Sequence, residues 1–410
     1  MFDLLIQGGR VVDPGAGLVG MYDIAINRDR IVAVDRGISR EAAWRVIDAG
    51  GQIVTPGLVD LHTHAFHRGT YWGINPDPIA ARTGVTTWLD VGSAGAYNWL
   101  AFRDFIIAHA QVRLYGLLNI SSIGLTAPDW ELANPKYCDV DICSQMIGLH
   151  RDKLLGVKVR VDASTTSGSG LIGLERAVMA AEQVGLPIMT HISSGPPALA
   201  DILDRLRPGD ILTHCCTGRS NKLIDDQGFL LQVAHAARER GILMDVGHGA
   251  GSFSFEAAER MLAEGFVPDV ISSDIHQLAA HGPCFDLPTC LSKFMAMGLS
   301  LEEVVLRATA RPAAIMGLAG QVGTLQPGAL ADLALFRLHH GRFPLYDIFM
   351  HERIGTALLE NTLTLIGGRE LRRLPDDAPM PWIGLTEDQQ ALIDRGHTPT
   401  QLIQPPGSCC

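Results

Sequence analysis

The stretch Thr55-Pro-Gly-Leu-Val-Asp-Leu-His-Thr-His64 is the part of the sequence around which the rest is organised, because it is an apolar run that ends in two histidines one residue apart. A short apolar run with Pro and Gly at its start is typical of a buried strand. Successive side chains of a strand point to opposite faces, so His62 and His64 share a face. Such a pair can chelate a divalent ion, or it can be two strand histidines satisfied by hydrogen bonds. The rest of the chain must decide between these readings.

From about residue 50, apolar runs alternate with segments of helical periodicity. In residues 171–184, for example, apolar side chains recur along one face of a helix. Continuous apolar strands separated by amphipathic helices are typical of a parallel sheet covered by helices. We expect eight strands, near residues 53–60, 85–91, 112–121, 155–161, 186–192, 210–215, 242–247 and 269–274. The sequence therefore predicts an α/β fold built on a TIM-type (β/α)8 barrel.

The two ends of the chain do not show the alternation of strands and helices predicted for the middle. Residues 1–52 contain short β-rich runs joined by turns, and β-rich runs return in residues 317–374. We expect these two segments to form one small β-sandwich domain around the barrel of residues 53–316. Residues 375–410 are rich in Pro and polar residues and are predicted to be a tail with one short helix that begins near Thr386.

Composition limits the function. The chain has 410 residues, 47% of them hydrophobic, and a net charge of -11, which argues against nucleic acid as a partner. Its N-terminal run has no secretory pattern, no segment is long enough for a membrane span, and the eight cysteines lack the dense spacing of a disulfide scaffold. We expect a cytoplasmic enzyme with reduced thiols, a small-molecule substrate and a homo-oligomeric state.

Candidate ligands stand where predicted strands end, and strand ends of a βα barrel converge on one mouth. Each has an ordinary alternative: a lone histidine is more often a core residue, and Asp274 can be a helix N-cap. Lys158 is harder to explain, because a lysine inside an apolar strand must be paired or have a lowered pKa. The joint occurrence favours a metal site made of His62, His64, Lys158, His191, His214 and Asp274.

This set suits two ions. An uncharged lysine can react with carbon dioxide to give a carbamate that bridges two cations. On this hypothesis His62, His64 and Asp274 hold one ion, and the histidines of two later strands, His191 and His214, hold the other. A water between the ions would be acidified to hydroxide, with Asp274 as the catalytic group that passes on its proton. Zinc is the expected metal, and manganese, iron and cobalt stay open.

These motifs resemble the amidohydrolase superfamily over the whole chain. Pro56-Gly-Leu-Val-Asp-Leu-His-Thr-His64, Lys158, His191, His214 and Ser273-Asp274 are similar to its dinuclear pattern. The resemblance implies a barrel with a composite β-sandwich, two divalent ions and a carboxylated Lys158. It is strongest to the dihydroorotase-like branch.

Dihydroorotases carry an arginine two residues after the second histidine, where this chain has Phe66. The runs 86–95, 156–161 and 245–254 are more similar to a group often labelled dihydroorotase, some of whose members hydrolyse acetylated α-hydroxy acids such as acetyl-mandelate. This resemblance implies an esterase or amidase for small carboxylates. A cyclic amidase or lactonase of the hydantoinase type needs the same centre and is the alternative.

Two other readings fit less well. A deaminase of this fold typically has His-x-x-Glu after strand five, whereas Ile-Ser-Ser follows His191 here. A non-catalytic scaffold predicts lost ligands, and none of the expected ligands is missing.

Two residues are expected to contact the substrate. Arg160 lies two positions from Lys158, so it points to the same face of the strand, where a guanidinium can bind a carboxylate or pair with a nearby acid such as Asp90 or Asp162. His248 lies in a glycine-rich loop after the seventh strand, and it either contacts substrate or caps that loop.

Overall fold

The computed structural model describes residues 1–397 and contains fifteen strands in two sheets. In chain order the strands are β1 (Phe2–Asp13), β2 (Leu18–Asn27), β3 (Arg30–Asp35), β4 (Ala43–Asp48), β5 (Ile53–Pro56), β6 (Leu58–Thr63), β7 (Val85–Gly95), β8 (Arg113–Asn119), β9 (Leu154–Val161), β10 (Ile188–Ile192), β11 (Ile211–Thr213), β12 (Leu243–Asp245), β13 (Leu333–Tyr346), β14 (Glu352–Ile366) and β15 (Arg369–Glu370).

The α-helices mostly follow the strands that they cover. They are α1 (Pro76–Thr83), α2 (Trp99–Phe102), α3 (Val140–Leu149), α4 (Ala163–Thr166), α5 (Ile172–Val184), α6 (Leu199–Leu203), α7 (Gln232–Glu239), α8 (Phe255–Ala263), α9 (Leu287–Ala296), α10 (Leu301–Leu306), α11 (Ala310–Ile315) and α12 (Glu387–Asp394). Among the helices of this part of the chain, none combines the length and apolar character that crossing a membrane requires.

Local sequence explains several helix boundaries. The predicted periodicity of residues 171–184 corresponds to α5, which buries Leu174, Ala177 and Ala181 against the core and ends at Gly185 with φ of 65°. Capping boxes at Ser300 and Thr386 open α10 and α12, the second at the point where the sequence predicts the helix of the tail. In each, a hydroxyl accepts from the backbone N–H three residues on, which satisfies a donor that the first turn leaves free.

The strands β6 to β12 form a parallel sheet in sequence order. Two parallel bridges close it into a barrel, from Asp245 to Val270 on one side and from Thr63 to Ile275 on the other. The TIM-type barrel is therefore confirmed.

The predicted eighth strand at 269–274 is wrong as a regular strand. Its ladder is interrupted because the Ser273 N–H donates to the Asp60 carboxylate at 3.0 Å. Asp274 then takes a left-handed conformation with φ of 49°, which a strand cannot accommodate.

The predicted first strand, residues 53–60, is two strands in different sheets. β5 pairs with β1 and β13, while β6 begins the barrel. The break falls at Gly57, whose N–H donates to the Asp332 carbonyl at 2.8 Å instead of continuing either ladder. The predicted domain division at 52/53 stays a prediction, and the change of sheet comes at Gly57.

The other sheet combines both ends of the chain. Its order is β15-β14-β13-β5-β1-β2-β3, with β4 paired to β1, so β5 joins the N-terminal strands to the C-terminal ones. One apolar cluster, which includes Ile6, Val11, Val54 and Leu335, packs against it. The predicted β-rich segment 317–374 supplies β13 to β15. Of the predicted tail, residues 375–397 contain α12, and residues 398–410 lie outside the described part.

Candidate metal centre and active-site pocket

A cavity of about 440 Å³ lies at the C-terminal ends of the barrel strands, and all six predicted ligands line it. This is the mouth at which side chains from different strands of a (β/α)8 barrel meet. The sequence prediction that these residues converge is therefore correct as a statement of position. Their role as ligands stays a prediction.

His62, His64 and Asp274 form the tightest group. The Nε2 atoms of His62 and His64 lie 3.3 and 3.2 Å from Asp274 Oδ1. The opposite ring nitrogens contact hydroxyls: His62 Nδ1 lies 2.8 Å from Thr213 Oγ1, and His64 Nδ1 lies 3.0 Å from Ser93 Oγ. Outer contacts of this kind fix the orientation of metal-binding histidines.

His191 and His214 lie side by side, with ring centroids 4.4 Å apart. His214 Nδ1 lies 2.6 Å from the Gly247 carbonyl, so it carries the proton and leaves Nε2 as the free ligand atom. His191 Nε2 is bonded to Asp162 at 2.9 Å, so Nδ1 is the atom left to bind. Burial lowers the pKa of His214 well below its ordinary value, which keeps the ring in the neutral form that binds metals.

Lys158 is the unusual member of the group. Its side chain is fully buried, and its Nζ has no hydrogen-bond partner among the described residues. Burial lowers the pKa of Lys158 to about 7, so a large share of the amine is uncharged near neutral pH. Gly92 makes room for this side chain, since a Cβ there would lie 2.7 Å from Lys158 Cγ.

Two residues at the mouth of the barrel have an unusual backbone conformation. His214 and Asp274 both have positive φ, 66° and 49°, which is uncommon for residues other than glycine and is concentrated at functional sites. Gly249 lies directly against the Asp274 carboxylate, and a Cβ at Gly249 would overlap Oδ2. The turn after β12 therefore fixes the position of Asp274.

Three buried carboxylates support this mouth, and the sequence points to only Asp90 among them, as an alternative partner of Arg160. Asp60 accepts from the backbone of His62 and Ser273, which ties β6 to the irregular eighth segment. Asp245 accepts from Thr213 and Ser272 at 2.6 Å each. Asp90 accepts from the Ala65 N–H at 2.6 Å. An acid inside an otherwise apolar strand was the available signal, because a buried carboxylate must be bonded.

The donor set fits divalent cations. Donor atoms of His62, His64 and Asp274 all lie within 4.8 Å of one another, and all three residues are buried. Asp274 Oδ1 has no hydrogen-bond donor among residues 1–397, and neutral imidazoles with a carboxylate are ligands that zinc and similar ions accept.

Arg160, which the sequence predicts either to bind a substrate carboxylate or to pair with an acid, is paired with Glu131. Its Nε and Nη2 donate to the two carboxylate oxygens of Glu131 at 2.6 and 2.7 Å, and Nη2 also donates to the Pro128 carbonyl. Arg160 lines the cavity, but this buried pair neutralises its charge. The expected alternative partners, Asp90 and Asp162, are both engaged elsewhere. The position of Arg160 on its strand correctly predicts the face to which its side chain points. It could not predict the partner, because Glu131 comes from a distant loop.

The structure places His248 away from the cavity: it is fully buried and is not among the residues that line the pocket. Its ring stacks on Phe253 at 4.4 Å, Nδ1 bonds to the Gly249 carbonyl, and Nε2 accepts from Lys293 Nζ at 2.7 Å. Cys284 and Cys290 lie beside it, with the Lys293 ammonium as the cation of the cluster. His248 supports the turn that contacts Asp274, and this placement does not favour the predicted substrate contact.

Comparisons with known proteins agree with this architecture. The model of the Amidohydrolase family matches residues 53–361. A deacetylase of Agrobacterium fabrum is 37% identical over 320 residues, which cover 77% of this chain and 78% of the relative.

Two crystal structures are also similar. One is described as an adenine deaminase, with a TM-score of 0.85 and 34% identity over 90% of this chain and 99% of that one. Another is described as a dihydroorotase, with a TM-score of 0.83 and 31% identity over 90% and 98%. The match of the family model to more than half of the sequence shows that this chain belongs to the amidohydrolase family, in its dihydroorotase-like branch, and is a hydrolase.

Proposed function

We propose that the protein is a dinuclear metal-dependent hydrolase that cleaves an ester or amide bond of a small carboxylate-bearing substrate, an acyl hydroxy acid or an N-acyl amino acid. One observation carries the dinuclear part: Lys158 is a fully buried amine without a partner in the described chain, in a cavity that five other potential ligands line. A structural lysine would be paired. An amine kept for carboxylation would be left free.

The residues divide into two ligand groups. His62, His64 and Asp274 would hold one ion, and His191 with His214 would hold the second. Carbon dioxide would add to the Lys158 amine with release of a proton, and the carbamate so formed would supply anionic oxygen ligands to the site. Divalent ions bound in this way supply acidification of a water toward neutral pH and polarisation of the scissile carbonyl.

Asp274 is the proposed proton carrier. Its Oδ1 faces the Nε2 atoms of His62 and His64. Its other oxygen lies against Gly249, so the carboxylate has little freedom to rotate. A carboxylate held in this way can accept a proton from the attacking water and transfer it to the leaving oxygen or nitrogen.

The substrate class rests on the pocket and on one relative. A cavity of about 440 Å³ suits a small molecule. The relative from Agrobacterium fabrum is named a deacetylase, which favours removal of an acetyl group. Phe66 stacks on Phe102 at 4.8 Å in the core, so the position at which dihydroorotases carry an arginine offers no anion contact here.

Adenine deamination is not favoured despite the name of one similar structure. The residues that follow His191 are Ile192, Ser193 and Ser194, and the glutamate of a His-x-x-Glu motif is absent from that position. We expect no ammonia release from adenine. Cyclic amides and lactones differ from the proposed substrates only in the shape that the pocket must accept.

Metal content tests the proposal. Purified protein should contain close to two equivalents of zinc or a similar ion per chain, and chelation should abolish hydrolysis of acetylated hydroxy and amino acids. Readdition of metal with bicarbonate should restore it. Lys158→Met should bind at most one equivalent, with His235→Gln, a partly exposed helix residue, as the matched control. A reconstituted enzyme that is inert toward open-chain and cyclic substrates alike would contradict the hydrolase assignment.

A further inference from the structure

Three basic side chains other than histidine line the cavity: Lys158, Arg160 and Arg219. Lys158 belongs to the proposed ligand set. Arg160 is neutralised by the buried carboxylate of Glu131, which occupies both Nε and Nη2. An anionic group in the cavity therefore has Arg219 as its available cation among residues 1–397.

The guanidinium of Arg219 is only partly engaged. Its Nε donates to the Gly251 carbonyl at 3.1 Å, and its central carbon lies 5.4 Å from the ring centroid of Phe349. In the part of the chain that the structure describes, Arg219 forms no ion pair, and its two terminal nitrogens donate no hydrogen bond. A guanidinium with free terminal nitrogens can bind a carboxylate through parallel N–H···O bonds.

The backbone holds Arg219 in place. Gly218 donates its N–H to the Ser252 carbonyl at 3.2 Å, and the Arg219 N–H donates to Thr217 Oγ1 at 3.2 Å. Thr217 also bridges to Phe253 in the turn after β12. This turn and the segment after β11 thus support each other. An arginine on a supported loop loses less freedom on binding than one on a mobile loop.

The charges around the cavity favour one orientation of the bound substrate. Asp129 also lines it, on the segment after β8, where it accepts from Ser164 Oγ at 3.0 Å and lies 3.9 Å from Arg160 Nη2. An anion would be repelled by Asp129 and attracted by Arg219, which lies on the segment after β11. The carboxylate of a bound substrate should therefore point toward the β11 side.

We propose that Arg219 binds the carboxylate of the substrate and selects acylated small acids over their neutral counterparts. This inference rests on the proposed function, because it names the group that recognises the acid half of that substrate. It assigns the role expected of Arg160 to a residue five positions after His214.

Matched pairs of compounds test the role of Arg219. The pairs are O-acetyl-lactate, O-acetyl-mandelate, N-acetyl-alanine and N-acetyl-phenylglycine, each assayed as the free acid and as its primary amide. Arg219→Met should lower kcat/KM for the acids by about ten- to a hundredfold, mainly through KM, because a charge-assisted bidentate contact is lost. The amides should change by less than about threefold, and Arg219→Lys should recover part of the loss.

Two results would overturn the assignment. One is an equal loss for acid and amide in Arg219→Met, and the other is an acid-selective loss in Arg160→Met with none in Arg219→Met. Titration of the metal-loaded protein with mandelate gives an independent measurement, since Arg219→Met should weaken binding by a similar factor. If the protein hydrolyses none of these compounds, that result contradicts the proposed function. The mandelate titration would still decide whether Arg219 binds a carboxylate.

Discussion

At the scale of single residues, Arg160 and Glu131 form the most consequential pair. Both are buried, and their bidentate contact compensates two charges that burial would otherwise destabilise. Removal of one partner leaves the other charge alone in a low-dielectric site, which typically costs about 3–5 kcal/mol. We expect Arg160→Met to lower the free energy of unfolding by roughly this amount, measured by denaturant unfolding. Activity on acid and amide substrates should fall together.

Two controls separate this effect from substrate binding. The double variant Arg160→Met with Glu131→Gln should recover most of the stability, because no unpaired charge remains. Arg219→Met removes an exposed side chain, and it should change the free energy of unfolding by less than about 0.5 kcal/mol. If the single Arg160 variant is as stable as the parent, the pair has no structural role.

Residue positions were predictable from the sequence where strand geometry alone decides them. Five of the proposed ligands reach the mouth because they lie at or toward the C-terminal ends of barrel strands, and that rule needs no knowledge of loops. They are His62, His64, Lys158, His191 and His214. The contacts of Arg160 and His248 could not be predicted, because their partners, Glu131 and Lys293, come from distant segments. Side-chain pairing across such distances leaves no local pattern in the sequence.

At the scale of elements, the same contrast applies to the strands. Apolar periodicity predicted the barrel, but it could not reveal that residues 53–60 change sheet at Gly57 or that residues 269–274 lack a regular ladder. The segment 269–274 is irregular because of a polar contact, in which the Ser273 N–H donates to the Asp60 carboxylate. The irregularity coincides with the proposed proton carrier Asp274, which is where departures from regular structure are expected.

Helix α12 is the element whose role was least visible in the sequence. Its Gln389 is buried and donates to the carbonyls of Leu278 and Gly282 at 2.8 and 2.9 Å. Leu278 lines the cavity, and it follows the eighth segment of the barrel. The described part of the tail therefore supports a loop of the pocket.

This contact gives a prediction at the scale of the element. Gln389→Ala removes two hydrogen bonds and leaves the buried Gly282 carbonyl without a donor in the described chain, whereas the Leu278 carbonyl keeps the His281 N–H. We expect a loss of about 1–3 kcal/mol, faster amide exchange in residues 276–284 and a raised KM. Gln390→Ala is the matched control, because that neighbour donates to Asp394 on the exposed side of the helix and should have no such effect. Unchanged exchange in the loop would show that α12 does not hold it.

At the scale of the whole molecule, all the proposed ligands belong to the barrel. They come from β6, β9, β10, the end of β11 and the segment that closes the barrel, whereas the terminal sheet contributes none. Bound ions would therefore join strands that are distant in sequence. Ligands that bind only the folded state stabilise it by mass action, by about 2.7 kcal/mol at a hundredfold excess over Kd.

Metal removal should consequently act on the barrel mouth before it acts on the terminal sheet. We expect chelation to lower the melting temperature and to speed amide exchange around His64, His191 and His214, with little change in β1 and β14 until global unfolding. His64→Gln should lose most of this metal-dependent shift, and His235→Gln should keep it. Equal melting of metal-loaded and chelated protein would contradict the ligand set, since ions held by five separate barrel segments cannot leave the stability of the fold unchanged.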